Sequence, residues 1–436
     1  MGELIPVGKT LRLDSGGTEC AITAYLGGGG QGEVYKVRLA GADMALKWYF
    51  RRTATEEQRQ TLEELVRLGA PTKRFLWPVQ VAAAAAIPGF GYIMPLRSAP
   101  YRSMFEHVTR KVRPTWRAQA TTGYQLADSF FQLHAMGLSY RDISFGNVFF
   151  DPASGDTLIC DNDNVGVDGK AGGIAGTPRF MAPEIARGDG SAQPNTETDL
   201  FSLAVLLFYL FIVHHPLEGA KEASIRCMDS PAMQLLYGQE PVFIFDPHDR
   251  SNAPVKGFHD NAFVFWPLYP QFLRDLFTRV FTEGIREPQQ RVRENEWRNA
   301  MIRLRDSIYP CAWCGRENFY GGPGVCAWCR KPLANPMRLR LAKDMEPVLC
   351  TGAQLYAYHL ENSRSLGDVT FKDPVAEVVR HPINPNFLGL RNLSTASWAA
   401  TLRDGSMRQV EPGKSVTISA GLRVNFGGRE GLVLDS

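Results

Sequence analysis

The sequence contains no apolar run long enough to cross a bilayer. Its longest, Leu200 to Val213, is 14 residues and includes Ser202, short of the ~20 that a spanning helix needs, so it reads as a buried helix. An excess of charge is also missing. Lys+Arg number 48 and Asp+Glu 45, a formal net charge of 48 − 45 = +3, which leaves no electrostatic footprint for nucleic acid or a membrane surface. The opening Met1-Gly2-Glu3-Leu4-Ile5-Pro6 has no basic-then-apolar leader, and Pro6 stands where a myristoylation motif needs Ser or Thr. A cytoplasmic protein with no membrane contact is expected. The composition, 44% hydrophobic and 21% charged, supports packed cores rather than disorder, and 436 residues suffice for two or three domains.

What is present begins with strands. Residues 11–13, 20–26, 33–39 and 44–50 alternate between apolar and polar and are punctuated by glycine, which predicts an antiparallel sheet. A one-faced helix is expected over 55–68, with others over Trp116 to Met136, Thr198 to His214, Pro270 to Phe281 and 294–309. Pro310 marks a boundary. Beyond Pro332, short alternating segments (Pro347 to Cys350, Val375 to Val379, Ser415 to Ile418, Leu422 to Phe426) predict a small β domain.

Gly27-Gly28-Gly29-Gly30-Gln31-Gly32-Glu33-Val34 lies between two of the predicted strands, where glycines let backbone N–H groups approach phosphates. Because a strand follows rather than a helix, the pattern suits a phosphate-covering hairpin, although a flexible turn is equally glycine-rich. Lys47 sits alone in the apolar strand Met44-Ala45-Leu46-Lys47, and a helix carboxylate, Glu63 or Glu64, is expected to orient it. Periodicity leaves that choice open. Downstream, Tyr140-Arg141-Asp142-Ile143-Ser144-Phe145-Gly146-Asn147 places an Asp and an Asn in one loop, and Asp161 follows Leu158-Ile159-Cys160. Those groups can serve as a hydroxyl-orienting base and two Mg²⁺ ligands.

In this ordered set the chain, over roughly residues 15–305, resembles the eukaryotic-type (Hanks-type) protein kinase family in its bacterial serine/threonine form. Ala182-Pro183-Glu184 looks like that family's close of the activation segment, Thr198-Asp199-Leu200 like the start of its central helix, and Arg291 is placed to pair with Glu184. The resemblance implies an α+β, two-lobed protein kinase fold, with a β-rich N-lobe over about 1–96 and a helical C-lobe over about 97–305. It implies ATP and Mg²⁺ (or Mn²⁺) as cofactors, Asp142 as base, Asn147 and Asp161 as magnesium ligands, and Lys47 on the α- and β-phosphates. Gly27, Gly28, Gly29, Gly30, Gln31, Gly32, Val34, Ala45, Met94, Leu96 and Phe149 would line the nucleotide site, with Pro95-Leu96 as the hinge.

The sequence departs from the family at several of these positions. Tyr140 replaces a histidine, and Ser144 stands where serine/threonine kinases carry a lysine for the γ-phosphate. The loss of such a charge contact costs about 2–4 kcal/mol in a transition state, so slow turnover is expected. Asp161-Asn162-Asp163 replaces Asp-Phe-Gly, with Asp163 the weaker candidate for metal. Thr177 is the lone hydroxyl between Asp161 and Glu184, which predicts control by a partner or by the C-terminal modules rather than by phosphate added to this segment.

Cys311-Ala312-Trp313-Cys314 and Cys326-Ala327-Trp328-Cys329 repeat one unit, the spacing of a structural four-thiolate zinc ribbon, expected over 306–335. Arg316, Arg330 and Lys331 offer it few phosphate contacts, so a spacer or docking surface is favoured over nucleic-acid binding. Residues 336–436 are expected to form a small β-sandwich. Asn392-Leu393-Ser394 with Trp398, and Val410 to Phe426, weakly resemble the later strands of a forkhead-associated domain, without its phosphothreonine signature. The combination also resembles bacterial kinases found beside a von Willebrand-type domain protein and a metal-dependent phosphatase. The leading expectation is a serine/threonine kinase acting on protein substrates. Its rivals are a pseudokinase scaffold and a small-molecule phosphotransferase.

Overall fold

The computed structural model describes residues 4–14, 17–169, 176–190, 192–342, 345–361, 369–381, 383–384 and 387–435. Residues 170–175 of the expected activation segment, and the first three of the opening segment, lie outside them. The chain divides into two compact units, one of residues 1–114, 121–263 and 276–298, the other of residues 115–120, 264–275 and 299–436.

The first unit opens with a six-stranded antiparallel sheet: β1 (Thr10–Arg12), β2 (Glu19–Gly28), β3 (Gly32–Leu39), β4 (Ala42–Tyr49), β5 (Gln80–Ala84) and β6 (Ile87–Pro95), in the order β1-β2-β3-β4-β6-β5. Alternation sends Tyr35, Val37, Leu46 and Trp48 into one core, and Ala45, Tyr49, Tyr92 and Met94 into a second on the other face. The β2–β3 register is irregular between Ile22 and Ala24 and between Tyr25 and Gly27, so the glycine-rich hairpin leaves the sheet after two bulges. Gly32 is required by close approach: a Cβ there would lie 2.2 Å from the Trp48 carbonyl oxygen.

Helix α1 (Glu56–Leu68) starts where the Thr55 hydroxyl accepts the Gln58 N–H at 3.2 Å, and it buries Leu62 and Leu65. Helix α2 (Met104–Val108) carries a Ser103/Glu106 capping box. Next come α3 (Trp116–Ala135), the short catalytic-loop region, and α4 (Pro183–Ala186). Helix α5 (Thr196–Ile212) begins two residues before the expected Thr198, because Asn195 and Thr198 form a reciprocal cap, and it ends at Val213 in left-handed backbone at φ 56°. Every residue from Thr198 to Ile212 is buried, so the longest apolar run is a core helix. Among the described residues no helix is long and apolar enough to cross a membrane.

In the second unit, the helix expected over 294–309 ends at Asp306, and Ile308–Pro310 instead pairs antiparallel with Glu317–Phe319. Farther on, a five-stranded sheet and a four-stranded sheet, both antiparallel, share one apolar cluster that includes Leu339, Leu390, Trp398, Val424 and Val433. The expected strand at Pro347–Cys350 is reduced to a single bridge from Val348 to Arg338.

Candidate active site

A cavity of about 690 Å³ opens beneath the glycine-rich hairpin within the first unit. Its lining includes Gly27, Gly28, Gly29, Gly30, Gln31, Gly32, Val34, Ala45, Lys47, Met94, Leu96 and Phe149. It also includes Asp142, Asn147 and Asp161, so every residue expected at a nucleotide site faces one space. Sequence reasoning missed Arg97 and Asn164, which line it too. The Arg97 guanidinium lies 3.7 Å from the Phe149 ring centroid, covering one face of that ring. Among the described lining residues the cations are Lys47 and Arg97.

The catalytic loop is held from behind. Asp199, in the first turn of α5, accepts the backbone N–H of Tyr140 at 2.5 Å and of Arg141 at 2.9 Å. His134 bridges Asp199 (3.1 Å) and Glu294. Burial alone would depress this imidazole, but its bonds to Asp199 and Glu294 prevail and raise its pKa to about 9. Tyr140, which replaces the histidine, is fully buried, packs edge-on against Phe130 and donates its hydroxyl to the Cys160 carbonyl. Arg141 sits in left-handed backbone at φ 73°, and Arg291 forms a bidentate pair with Glu184, both bonds 2.8 Å.

The front of the loop faces the cavity. Asp142 Oδ1 accepts the Thr177 hydroxyl at 2.8 Å, while the Asn147 amide nitrogen donates to the Asp142 carbonyl (2.8 Å) and to Oδ2 (3.2 Å). Burial raises the Asp142 carboxyl against the opposing bonds from Thr177 and Asn147. With its nitrogen committed to Asp142, Asn147 has Oδ1 to offer a cation, and Asp161, with a side chain 35% exposed, can supply a carboxylate to the same ion. Asp161 is in left-handed backbone at φ 58°, the kind of local strain that marks functional positions.

Lys47 is where the structure corrects the sequence reading. Its Nζ lies 2.5 Å from Asp161 Oδ1, 2.8 and 3.1 Å from the Asp163 oxygens, and 2.9 Å from Gln31 Oε1. Neither Glu63 nor Glu64 is its partner. Both lie on the outer face of α1, where Glu63 pairs with Arg59 at 3.1 Å and Glu64 with Arg67 at 3.7 Å. Burial pushes the Lys47 ammonium down, but the charges of Asp163 and Asp161 outweigh it and hold its pKa above the ordinary lysine value. For Asp161, burial and then the Asp163 charge raise the pKa to about 6. Asp163 itself is lowered, burial being overcome chiefly by Lys47.

The second unit brings Cys311, Cys314, Cys326 and Cys329 together, with all four sulfurs within 4.8 Å of one another. The two C-A-W-C units fold alike. Cys311 N–H donates to Arg316 O and Cys326 N–H to Lys331 O, both at 2.8 Å, and the Trp313 and Trp328 amides point at Cys311 and Cys326 sulfur at 3.4 and 3.5 Å. Zn–S bonds of about 2.3 Å imply tetrahedral S···S edges of about 3.8 Å; Cys311–Cys329 is 3.8 Å and Cys314–Cys326 is 3.6 Å, so the donor set fits a closed four-thiolate metal. Two of the three nearby cations lie over the knuckle tryptophans, Arg316 on Trp328 (4.6 Å) and Lys331 on Trp313 (4.0 Å). In the same unit Glu317 accepts the Trp116 N–H at 2.7 Å, and Trp116 stacks on Phe319 at 4.5 Å.

A glycine-rich hairpin over a lysine, with an Asp/Asn loop and a second Asp below, is the layout of a phosphoryl-transfer site. Comparison with known proteins agrees. The family model described as "Protein kinase domain" matches residues 21–256, and the chain belongs to that family. Over 203 residues it is 27% identical to serine/threonine-protein kinase PknK of Mycobacterium tuberculosis, covering 44% of this chain and 18% of that protein. It is 30% identical over 132 residues to plk-2 of Caenorhabditis elegans, covering 28% and 20% of the two chains. It is 35% identical over 107 residues to protein kinase C delta type of Mus musculus, covering 23% and 15%. The chain thus spans a fifth or less of the length of these relatives.

Proposed function

We propose that the protein is an ATP-dependent protein serine/threonine kinase. The observation that carries this reading is the convergence of the glycine-rich hairpin, Lys47, Asp142, Asn147 and Asp161 on one cavity. In this reading the adenine ring lies among Val34, Ala45, Met94 and Phe149, beside the Pro95-Leu96 backbone, and Lys47 directs the α- and β-phosphates. Asp142, fixed by Thr177 and Asn147, orients the acceptor hydroxyl and takes its proton. Asn147 and Asp161 would hold magnesium, whose positive charge neutralises the phosphates when bound. Thr177 beside Asp142 favours serine or threonine as acceptor. With Ser144 in place of a cation, turnover is slow.

The proposed division is a kinase domain over 1–305, a zinc ribbon over 306–335 and a forkhead-associated-like β-sandwich over 336–436, in a cytoplasmic enzyme. The C-terminal modules serve protein recruitment or regulation, with a von Willebrand-type domain protein and a metal-dependent phosphatase as candidate partners. Phosphopeptide binding through Asn392-Leu393-Ser394 is disfavoured. Asn392 is fully buried, donating to the Ala396 and Val410 carbonyls at 2.8 and 2.9 Å and accepting from Ser394, so this motif braces a turn.

The test is [γ-³²P]ATP transfer to a generic protein substrate with Mg²⁺ or Mn²⁺, comparing the intact chain with Asp142→Asn. Label on phosphoserine or phosphothreonine that disappears in the variant is expected. Nucleotide binding without transfer would overturn the reading in favour of a scaffold, and label on small alcohols alone in favour of a small-molecule phosphotransferase.

A further inference from the structure

We propose that Asp163, anchored by Tyr49 and Tyr92, is the positioning residue for Lys47, replacing a carboxylate of helix α1. The Asp163 side chain is 0% exposed. Its Oδ2 accepts from Lys47 at 2.8 Å and from the Tyr49 hydroxyl; its Oδ1 accepts from Lys47 at 3.1 Å and from the Tyr92 hydroxyl at 3.3 Å. Four donor contacts on two oxygens leave no room for a metal, which separates Asp163 from Asp161, whose carboxylate reaches the cavity. Helix α1 contributes a neutral side chain instead. Gln58 donates to the Asp163 carbonyl at 3.1 Å and to the Tyr49 hydroxyl at 3.2 Å, so the helix supports the clamp without a charge of its own.

The clamp has a directional consequence. Tyr49 lies two residues after Lys47 on β4, and Tyr92 is opposite Lys47 in the β4–β6 register. The groups bonded to the ammonium therefore come from the hairpin tip (Gln31) and from Asp161 and Asp163, with Tyr49 and Tyr92 of the sheet bracing Asp163, and none is an acid on α1. A shift of α1 would here break the two neutral bonds from Gln58 but no ion pair to Lys47. Gln31 at the hairpin tip joins the same network, accepting from Lys47 and donating to Asn164 at 3.3 Å.

The inference rests on Lys47 being the lysine that meets the nucleotide phosphates, so the experiment includes Lys47→Met. ATP titrations of the full-length chain give kcat and KM for the wild type, Lys47→Met, Asp163→Asn, Tyr49→Phe and the double variant Glu63→Gln/Glu64→Gln, each checked for folding by its unfolding midpoint. A purely structural role for Asp163 would lower the active fraction, and with it kcat, at constant KM. Positioning predicts instead that KM for ATP rises at least tenfold in Asp163→Asn and about threefold in Tyr49→Phe, which keeps the ring, while the double variant matches the wild type. If Asp163→Asn does not fold, Tyr49→Phe carries the test. An unchanged KM in the Asp163 and Tyr49 variants beside a raised KM in Lys47→Met overturns the role of Asp163 alone, as does a raised KM in the double variant. Unchanged KM in Lys47→Met overturns the placement of Lys47, and the inference with it.

Discussion

Raising the pH above 9 should loosen the catalytic loop through one buried imidazole. His134 is placed between Asp199 and Glu294, and its pKa in the folded chain is about 9, against an ordinary value of 6.5. The folded chain thus retains a proton that the unfolded chain releases near pH 6.5. The stabilisation is complete below that value and is lost as pH rises through 9. The full shift is worth on the order of 3 kcal/mol, of which about 2 kcal/mol disappears between pH 7 and pH 9.5. Because the His134 side chain is only 8% exposed, solvent screening removes little of this. Glu294 does not compete in the same window: its pKa is lowered, burial being outweighed by His134, so its contribution is lost only in acid. The assay is urea unfolding of the wild type and His134→Gln at both pH values, followed by tryptophan fluorescence. The stability gap between them should narrow by roughly 2 kcal/mol at the higher pH, and transfer activity should become pH-sensitive in the wild type as the Tyr140 and Arg141 amides lose their fixed acceptor. A gap that stays constant would refute the bridging imidazolium.

Arg291→Met should cost about 3–5 kcal/mol, since it strands the Glu184 carboxylate and removes the Arg291 donors to the Glu197 and Gly284 carbonyls. Chemical denaturation reads this directly, and a loss under 1 kcal/mol would contradict it. For the four cysteines, metal analysis of purified protein should find zinc near one per chain, falling to near zero in Cys326→Ser. Stripping the zinc with a chelator should open residues 306–335 to protease and change the emission of Trp116 and Trp328, whose rings are 5.8 Å apart.

The parts of the site that could be read from the sequence are those encoded within a few residues of one another. The glycine hairpin, Lys47 in its strand, the Asp142–Asn147 loop and Asp161 each announce themselves by local spacing, and the cavity gathers them all. The partner of Lys47 could not be read the same way. Glu63 and Glu64 share their helix faces with Val66 and Leu68, yet Leu68 is 39% exposed and Val66 only half-buried. The face α1 buries is that of Leu62 and Leu65, which turns both glutamates outward. Asp163 occupies a position where the family pattern predicts glycine, so its role appears only when Tyr49 and Tyr92 are brought to it from β4 and β6. The C-terminal strands are only partly legible in the sequence for a simpler reason. Segments such as Trp398–Thr401 and Met407–Val410 are four residues long, too short for period-two alternation to stand out from chance.

The carboxylates around the catalytic cleft sort into two kinds by what surrounds their oxygens. Asp163 and Asp199 are buried and saturated with donors from Lys47, Tyr49 and Tyr92 in one case, and from His134 and two backbone amides in the other. Asp142 and Asp161 line the cavity. Burying a charge is costly, and replacing a buried pair with apolar residues is often neutral or stabilising, so stability alone does not account for the first kind. An apolar replacement cannot supply direction, however. It has no acceptor to aim an ammonium or to hold two successive amides of a loop. The closed acids therefore set where Lys47 and the Tyr140–Asn147 loop stand, whereas Asp142 and Asp161, though bonded to Thr177, Asn147 and Lys47, still present their carboxylates to the cavity. Substituting a closed acid should change geometry and so nucleotide affinity, whereas substituting Asp142 should abolish transfer while leaving nucleotide affinity nearly intact.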